Sequence, residues 1–558
     1  MTNKARPRQF RFTNGFSVGS VAAENDMLLG PAFLPNAAYA AVVSLEDPRS
    51  GLIGRSGTGK TAILEHISDT QDHVIRIDPE ALAFRFLGDS LLIRTLRDHG
   101  IELDYFYKLL WRHVFVVEVL KHFFPDGSRR GGAVSLLMNL KPFKGKVDRE
   151  RRRALQYLDE WGASILQVPE ERIRQIHQSL EDRITKSLGA HASWSQALGI
   201  EGHLDVEHVS KTEIEENVRT IKHVVNQIQV EDLNAVRDLL GHEVLSDRQK
   251  PCYVLIDDLD RFWVDDQLMY ELIRGLILEI YEWRSVANIK FVYALRDNIL
   301  SKIETDFRSR AYQKEKLEDQ RFHMTWQEKE LENLIDERLQ VLANDQKAHT
   351  FPSLRDILPK ATNKLPSGLN YVLHRTMARP RDIIDFVNRI GSLAIGKERA
   401  TYNHIKKAEI AYSDSRLTAL LDEWRENFAG LDVVVRMLLR GRSASFALDE
   451  WTELTLVECF FDRAVPATGW ASKIATQLED AVDRGDESVL GNIRRTIASC
   501  FYEIGAVGLR QGEGATVLWG FADRPVIDDA EISEDCRLVI HPMLHLGLRI
   551  GNTESIYE

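Results

Sequence analysis

Residues 54–61 read Gly-Arg-Ser-Gly-Thr-Gly-Lys-Thr, and no other stretch restricts the fold of this chain as much. The octapeptide satisfies G-x-x-x-x-G-K-[ST], a loop that turns its backbone N–H groups onto phosphate oxygens. Gly54, Gly57 and Gly59 permit the tight turn and the close approach. Arg55, Ser56 and Thr58 fill the variable positions of the cradle. Lys60 supplies a mobile cation for the β- and γ-phosphates, and Thr61 offers a hydroxyl to Mg²⁺. Such a loop works only between a strand and a helix. Leu52-Ile53 provides a short apolar strand before it, and residues 61–67 have helical character after it. The positive end of that helix would face the phosphates. The pattern predicts an α/β fold that binds ATP with Mg²⁺.

A second apolar run, Cys252-Tyr253-Val254-Leu255-Ile256, ends in Asp257-Asp258-Leu259-Asp260-Arg261. A run with no polar alternation suits a central parallel strand covered on both faces. Ligands sit outside the carboxyl ends of such strands. Asp257 is the expected Mg²⁺ ligand, through water, and Asp258 the group that orients and deprotonates the attacking water. A third run, 289–295, ends at Arg296-Asp297, with a helix pattern at 267–283 between the two, so a right-handed βαβ unit is expected. Arg296 then shares the sheet edge with Asp257, where it reads the γ-phosphate or pairs with Asp297. Residues 73–77, before Asp78-Pro79, make a fourth strand.

These residues resemble the KAP and STAND branches of the AAA-related P-loop ATPases. The run Asp257-Asp258-Leu259-Asp260-Arg261 and Arg296 carry the likeness in the core. Ala378-Arg379-Pro380-Arg381-Asp382, running on to Asn388, is similar to the lid helix of those proteins. There an arginine senses the γ-phosphate, a role that falls on Arg381, with Arg379 as the alternate. Tyr412-Ser413 through Glu423-Trp424, and Ile540-His541-Pro542-Met543, are similar to segments of bacterial members found beside antiviral or mobile-element genes. The likeness spans residues 10–125 and 248–545. It implies an ATP-driven switch that assembles with itself, and the lack of an effector signature points to a separate effector protein. Many hydrolysing relatives place Glu where Asp258 stands, so slow turnover is expected. Arg308, Arg310 and Arg321 are candidates for an arginine acting in trans.

The 558 residues allow three or four domains. The expected division is a P-loop core in two parts, 1–125 and 248–320, with parallel sheet and flanking helices. A long helical insertion at 126–247 separates them, followed by an all-helical lid at 321–412 and a winged-helix-like module at 413–558. In the insertion, Leu155, Leu158, Trp161, Ile165 and Leu166 recur at helical spacing, as do Ile214, Val218, Ile221, Val225 and Ile228. The second stripe packs in a core or on a partner helix. In the lid, Trp326, Leu331, Leu334, Ile335, Leu339 and Leu342 mark one helix. In the last module a helix at 492–504 precedes a hairpin of 507–510 with 516–519. His541 and His545 are spaced for a metal, but no third ligand is evident.

A net charge of −12 excludes a uniformly basic nucleic-acid coat. The cluster at 129–153, with Phe143 among its lysines, is either a nucleic-acid interface or a solvated face. Four scattered cysteines without a CxxC pair fit buried thiols in a reducing compartment. No signal-like segment opens the chain, and its most apolar stretch, 109–124, carries Arg112, His113 and Glu118. A cytoplasmic protein with no membrane span is expected. Three activities stay open: a switch that controls self-assembly or an effector, a DNA-acting loader or remodeller, and a nucleotide-binding scaffold with little turnover.

Overall fold

A computed structural model describes residues 9–551 except 83, 124–168, 189–193, 199–210, 227–230, 246, 248, 262–263, 265, 307–316 and 513. The chain divides into two compact units. One takes in Asn36–Gly54 and Ile63–His323, the other Met1–Pro35, Arg55–Ala62 and Met324–Glu558.

The first unit is built on a parallel sheet of five strands: β1 (Gly51–Ile53), β2 (His73–Ile77), β3 (Cys252–Ile256), β4 (Ile289–Leu295) and β5 (Arg321–His323), in the order β2-β3-β4-β1-β5. β1, β3 and β4 are buried along their whole length, as central strands of a parallel sheet are, and β4 buries even Lys290, whose ammonium donates to the Asp47 carbonyl. The helices Asp104–Phe123 and Asp266–Trp283 pack closely together in this unit. Trp111 Nε1 donates to the Leu272 carbonyl at 2.8 Å. A Cβ on Gly275 would fall 2.8 Å from that of Tyr107, so glycine permits the contact. Arg112, which breaks the apolar run in sequence, forms a two-pronged buried pair with Glu279, both bonds at 2.6 Å.

Strand β5 corrects the expectation that residues from 321 onward are wholly helical. Three residues reading Arg-Phe-His carry no alternation that marks a strand. Arg321 itself is buried and meets Glu304 at 2.5 Å. Arg308, Arg310, the basic cluster 129–153 with Phe143, and the stripe from Leu155 to Leu166 lie outside the described residues. Of the second insertion stripe, Ile214, Val218, Ile221 and Val225 fall on the helix Lys211–Asn226, where Ile221 is fully buried in the core that contains the sheet, and Ile228 lies outside the described residues.

The second unit encloses one apolar core running from Phe10 to Leu548. Its helices include Glu328–Asp345, Pro380–Leu393, Tyr402–Trp424 and Glu487–Ile504. Residues 10–18, attached in the sequence reading to the sheet domain, pack here. Asn388 holds the Val18 N–H at 2.7 Å and the Gly19 carbonyl at 2.8 Å. Trp326 precedes the first of these helices rather than lying on it, and Tyr402–Trp424 runs through residue 412 without a break. The late strands β6 (Ser445–Ala447), β7 (Val507–Arg510) and β8 (Arg537–Ile540) form an antiparallel sheet in the order β6-β8-β7. The expected hairpin is reduced to one bridge, Leu509 with Leu518, and β8 is the main partner of β7.

The four cysteines are free and buried. Among the described residues no helix is long and apolar enough to cross a membrane.

Candidate functional site

Within the sheet unit, the register brings several sequence candidates to one edge. Ile53 pairs with Leu295, Ile77 with Ile256, and Ile256 with Tyr293. Gly54, Asp78, Asp257 and Arg296 each follow the carboxyl end of one of these parallel strands. Gly54 N–H donates to the Leu295 carbonyl at 3.2 Å, fixing the first residue of the glycine-rich loop beside β4. Asp257 Oδ1 accepts the Asp258 N–H at 2.9 Å. Asp258 has left-handed backbone, φ +56°, a region in which Asp and Asn are several-fold enriched. The backbone therefore supplies its own reason for Asp at this position. The Asp258 carboxylate meets Arg261 at 3.0 Å. Arg296 pairs with Asp260, not with the Asp297 named from sequence. A cavity of about 190 Å³ opens here, lined by Leu64, Glu65, Arg76, Asp78, Asp257 and Asp258 among others.

Within the second unit, residues 55–62 are held by side chains from far along the chain. Gly57 and Gly59 have φ of +82° and +95°, so the motif's glycines are required by conformation. A Cβ on Gly57 would also lie 2.7 Å from the Cβ of Arg381. All three polar groups of Ser56 are engaged. Its N–H donates to Glu423 Oε1 at 2.9 Å, its carbonyl accepts from Arg379 Nη1 at 3.1 Å, and its Oγ accepts from Arg381 Nη1 at 2.7 Å. Trp326 Nε1 donates to the Thr58 carbonyl at 2.8 Å. Arg55 reaches the carbonyl of Ile504, the last residue of its helix, and stands over the Trp424 ring at 5.7 Å. A cation at that end of a helix is favourably placed. Lys60 Nζ donates to the Arg55 carbonyl at 3.0 Å, and Thr61 is half-buried on the first turn of the helix Lys60–Thr70.

Arg379 and Arg381 differ electrostatically. Burial works against the charge of Arg379, but Asp382 and Glu423 overcome it and raise its pKa. Arg379 is fork-bonded to Asp382 at 2.9 and 3.2 Å. Asp382 is in turn kept ionised, against burial, by Arg379 and Arg416. Arg381 is pushed the other way, first by burial and then by Arg379. Both arginines thus reach the loop at Ser56, Arg381 at the hydroxyl and Arg379 at the carbonyl.

His541 and His545 have separate backbone partners. His541 Nδ1 accepts the Met543 N–H at 3.1 Å, and its ring packs on Trp519 and Phe521. His545 Nε2 meets the Ile540 carbonyl at 3.0 Å. Burial lowers their pKa values to about 3 and about 4. Among the described residues no group of three or more His, Cys, Asp or Glu is placed to hold a metal.

The sequence reading gave Glu423 and Trp326 no part in the loop. Both lie hundreds of positions from the loop, and no local spacing links them to it. Arg55 occupies a variable position of the motif, so the motif says nothing of its side chain.

Residues 329–421 match the profile of the FunZ-associated C-terminal helical domain. That match includes Arg379 and Arg381 and stops two residues short of Glu423. Over 569 aligned positions, taking in 96% of this chain and 67% of the other, the sequence is 25% identical to a provisionally named transposon gamma-delta 80.3 kDa protein of Escherichia coli (strain K12).

Proposed function

We propose that this chain binds ATP with Mg²⁺ through Gly54–Thr61, hydrolyses it slowly, and uses the nucleotide state to control self-assembly or an effector protein. One observation carries the reading. The octapeptide leaves the carboxyl end of a buried parallel strand, enters a helix at Lys60, and begins on the same sheet edge as Asp257 and Arg296. The strand order is compatible with a P-loop NTPase core.

The residues present suit the ligand. Mg²⁺ beside phosphates takes one or two protein ligands and completes its shell with phosphate oxygens and water. Thr61 and Asp257 are the side chains of the right type. Bound Mg²⁺ would neutralise charge on the β- and γ-phosphates. Lys60 adds a second cation to those phosphates. Asp258 is assigned to the attacking water, with Arg296 and Arg381 as sensors of the γ-phosphate. In this reading residues 324–412 are the lid and the later residues a winged-helix-like module. The relative's name supports a mobile-element setting. Antiviral defence rests on the family resemblance alone.

Phosphate release, and mass by light scattering without nucleotide, with ADP and with a non-hydrolysable ATP analogue, test the proposal. Turnover abolished in Lys60→Ala, with a larger species only in the ATP-analogue state, is expected. Tight ATP binding without release would mean a nucleotide-binding scaffold. Turnover unaltered in Lys60→Ala would sink the site.

The transposon in the relative's name also favours a second reading, a DNA-acting ATPase. Its sign would be turnover stimulated by DNA and lost steeply with salt.

A further inference from the structure

Ser56 is pinned on both its peptide groups by one buried ion pair. Glu423 Oε1 accepts its N–H at 2.9 Å, and Glu423 Oε2 accepts from Arg379 Nη1 at 3.3 Å. The same Arg379 Nη1 donates to the Ser56 carbonyl at 3.1 Å. The two side chains are only 8% and 5% exposed. A carboxylate this dry holds an N–H far more firmly than one in water. A phosphate loop acts through amides that already point at the ligand, so whatever fixes Ser56 fixes the direction of the amides that follow it.

We infer that Glu423 is a positioning residue for the phosphate loop, setting its conformation before any nucleotide arrives. The role rests on the reading of Gly54–Thr61 as that loop. Glu423 would touch neither phosphate nor metal. It acts through the Ser56 N–H, and through Arg379 on the Ser56 carbonyl.

The inference is separable from folding. Arg379 stays fork-bonded to Asp382 at 2.9 and 3.2 Å when Glu423 is removed, so Glu423→Ala leaves no bare cation in the core. Glu423→Gln keeps an acceptor oxygen for the Ser56 N–H and loses the charge.

The test is hydrogen exchange of the nucleotide-free full chain, read at Ser56 and at the amides of β3, with titration of a fluorescent ATP analogue in Mg²⁺. Glu423→Ala should speed exchange at Ser56 about tenfold or more, the weight of one charge-assisted hydrogen bond, and leave β3 protected. Its affinity for the analogue should fall by a similar factor, with maximal turnover changed much less. Glu423→Gln, with its acceptor oxygen but no charge, should recover part of both losses. Exchange at Ser56 equal to the parent overturns the inference, whether or not ATP binds. Faster exchange with unchanged affinity also overturns it, because Glu423 would then hold the loop without serving the ligand. Faster exchange in a chain whose parent form binds no ATP upholds the clamp and removes the nucleotide reading instead.

Discussion

Arg381 Nη1 lies 2.7 Å from Ser56 Oγ, so the arginine expected to sense phosphate is held by a hydroxyl of the loop itself. A neutral hydroxyl is a weak partner for a guanidinium whose charge is already disfavoured, first by burial and then by Arg379. A phosphate oxygen would be the better partner, since an anionic acceptor adds charge pairing and a bidentate geometry that a single hydroxyl lacks. If Arg381 makes that exchange on the γ-phosphate, Arg381→Ala should weaken ATP about tenfold or more while weakening ADP little. Ser56→Ala should act in reverse and favour ATP a few-fold. Competition titrations of both nucleotides on both variants decide it, and equal effects on ATP and ADP would remove Arg381 as a γ-phosphate sensor.

The loop glycines and lysine make a second prediction. Gly57 combines φ +82° with the near contact on Arg381, so Gly57→Ala meets both a backbone and a steric obstacle. It should abolish nucleotide binding while the far-UV spectrum stays that of the parent. Lys60→Ala loses the bond to the Arg55 carbonyl and should lower turnover about 100-fold or more, the usual weight of one group stabilising transition-state charge. A Gly57→Ala protein that binds as the parent does would show that the loop is not read through its backbone.

The strands beside the loop were legible in the sequence because burial on both faces leaves an unbroken apolar run ending in a polar residue. Cys252–Ile256 is of that kind, and Ile289–Leu295 departs from it only at Lys290, whose ammonium reaches the Asp47 carbonyl. β5 was not legible, because Arg321 enters the core only through its pair with Glu304. In the loop, Gly57 and Gly59 were legible as glycines, since their φ values of +82° and +95° favour that residue. Its supports were not. Glu423 reaches Ser56 across 367 positions and Trp326 reaches Thr58 across 268, distances that only the folded chain closes. The hairpin expectation failed for a related reason, since β7 prefers a strand separated from it by 26 residues to the one beyond the nearest turn.

The pair Arg112–Glu279 carries a stability prediction for the sheet unit. Both side chains are nearly dry, at 7% and 0% exposed, and burial pushes the Glu279 pKa up against the pull of Arg112. Removing one partner leaves the other charged in the core. Arg112→Ala should therefore cost about 3–5 kcal/mol, whereas replacing both by apolar residues of similar size should cost much less. Chemical denaturation followed in the single and double variants checks this. A single variant within about 1 kcal/mol of the parent would mean that water reaches the pair.

Glu503 gives the second unit a pH dependence of known sign. It precedes the Ile504 carbonyl that Arg55 holds, and burial raises its pKa from 4.5 to about 7, with Arg55 opposing the shift. The folded chain keeps a proton on Glu503 in that window which the unfolded chain gives up. Its contribution to stability is therefore lost progressively as pH rises from the unfolded to the folded value, and levels off above about 7. The loss is roughly 3 kcal/mol at most. His541 and His545 slope the other way. Their folded values, about 3 and about 4, lie below 6.5, so the unfolded chain binds their protons first and stability rises with pH up to 6.5. The parent curve mixes these trends, and Glu503→Gln removes only one of them. The difference between parent and variant should thus run in favour of the variant as pH climbs from about 5 to about 8. Denaturation curves at intervals across that range give the difference directly. A difference that stays flat would place the Glu503 carboxyl in water, ionised in folded and unfolded chains alike.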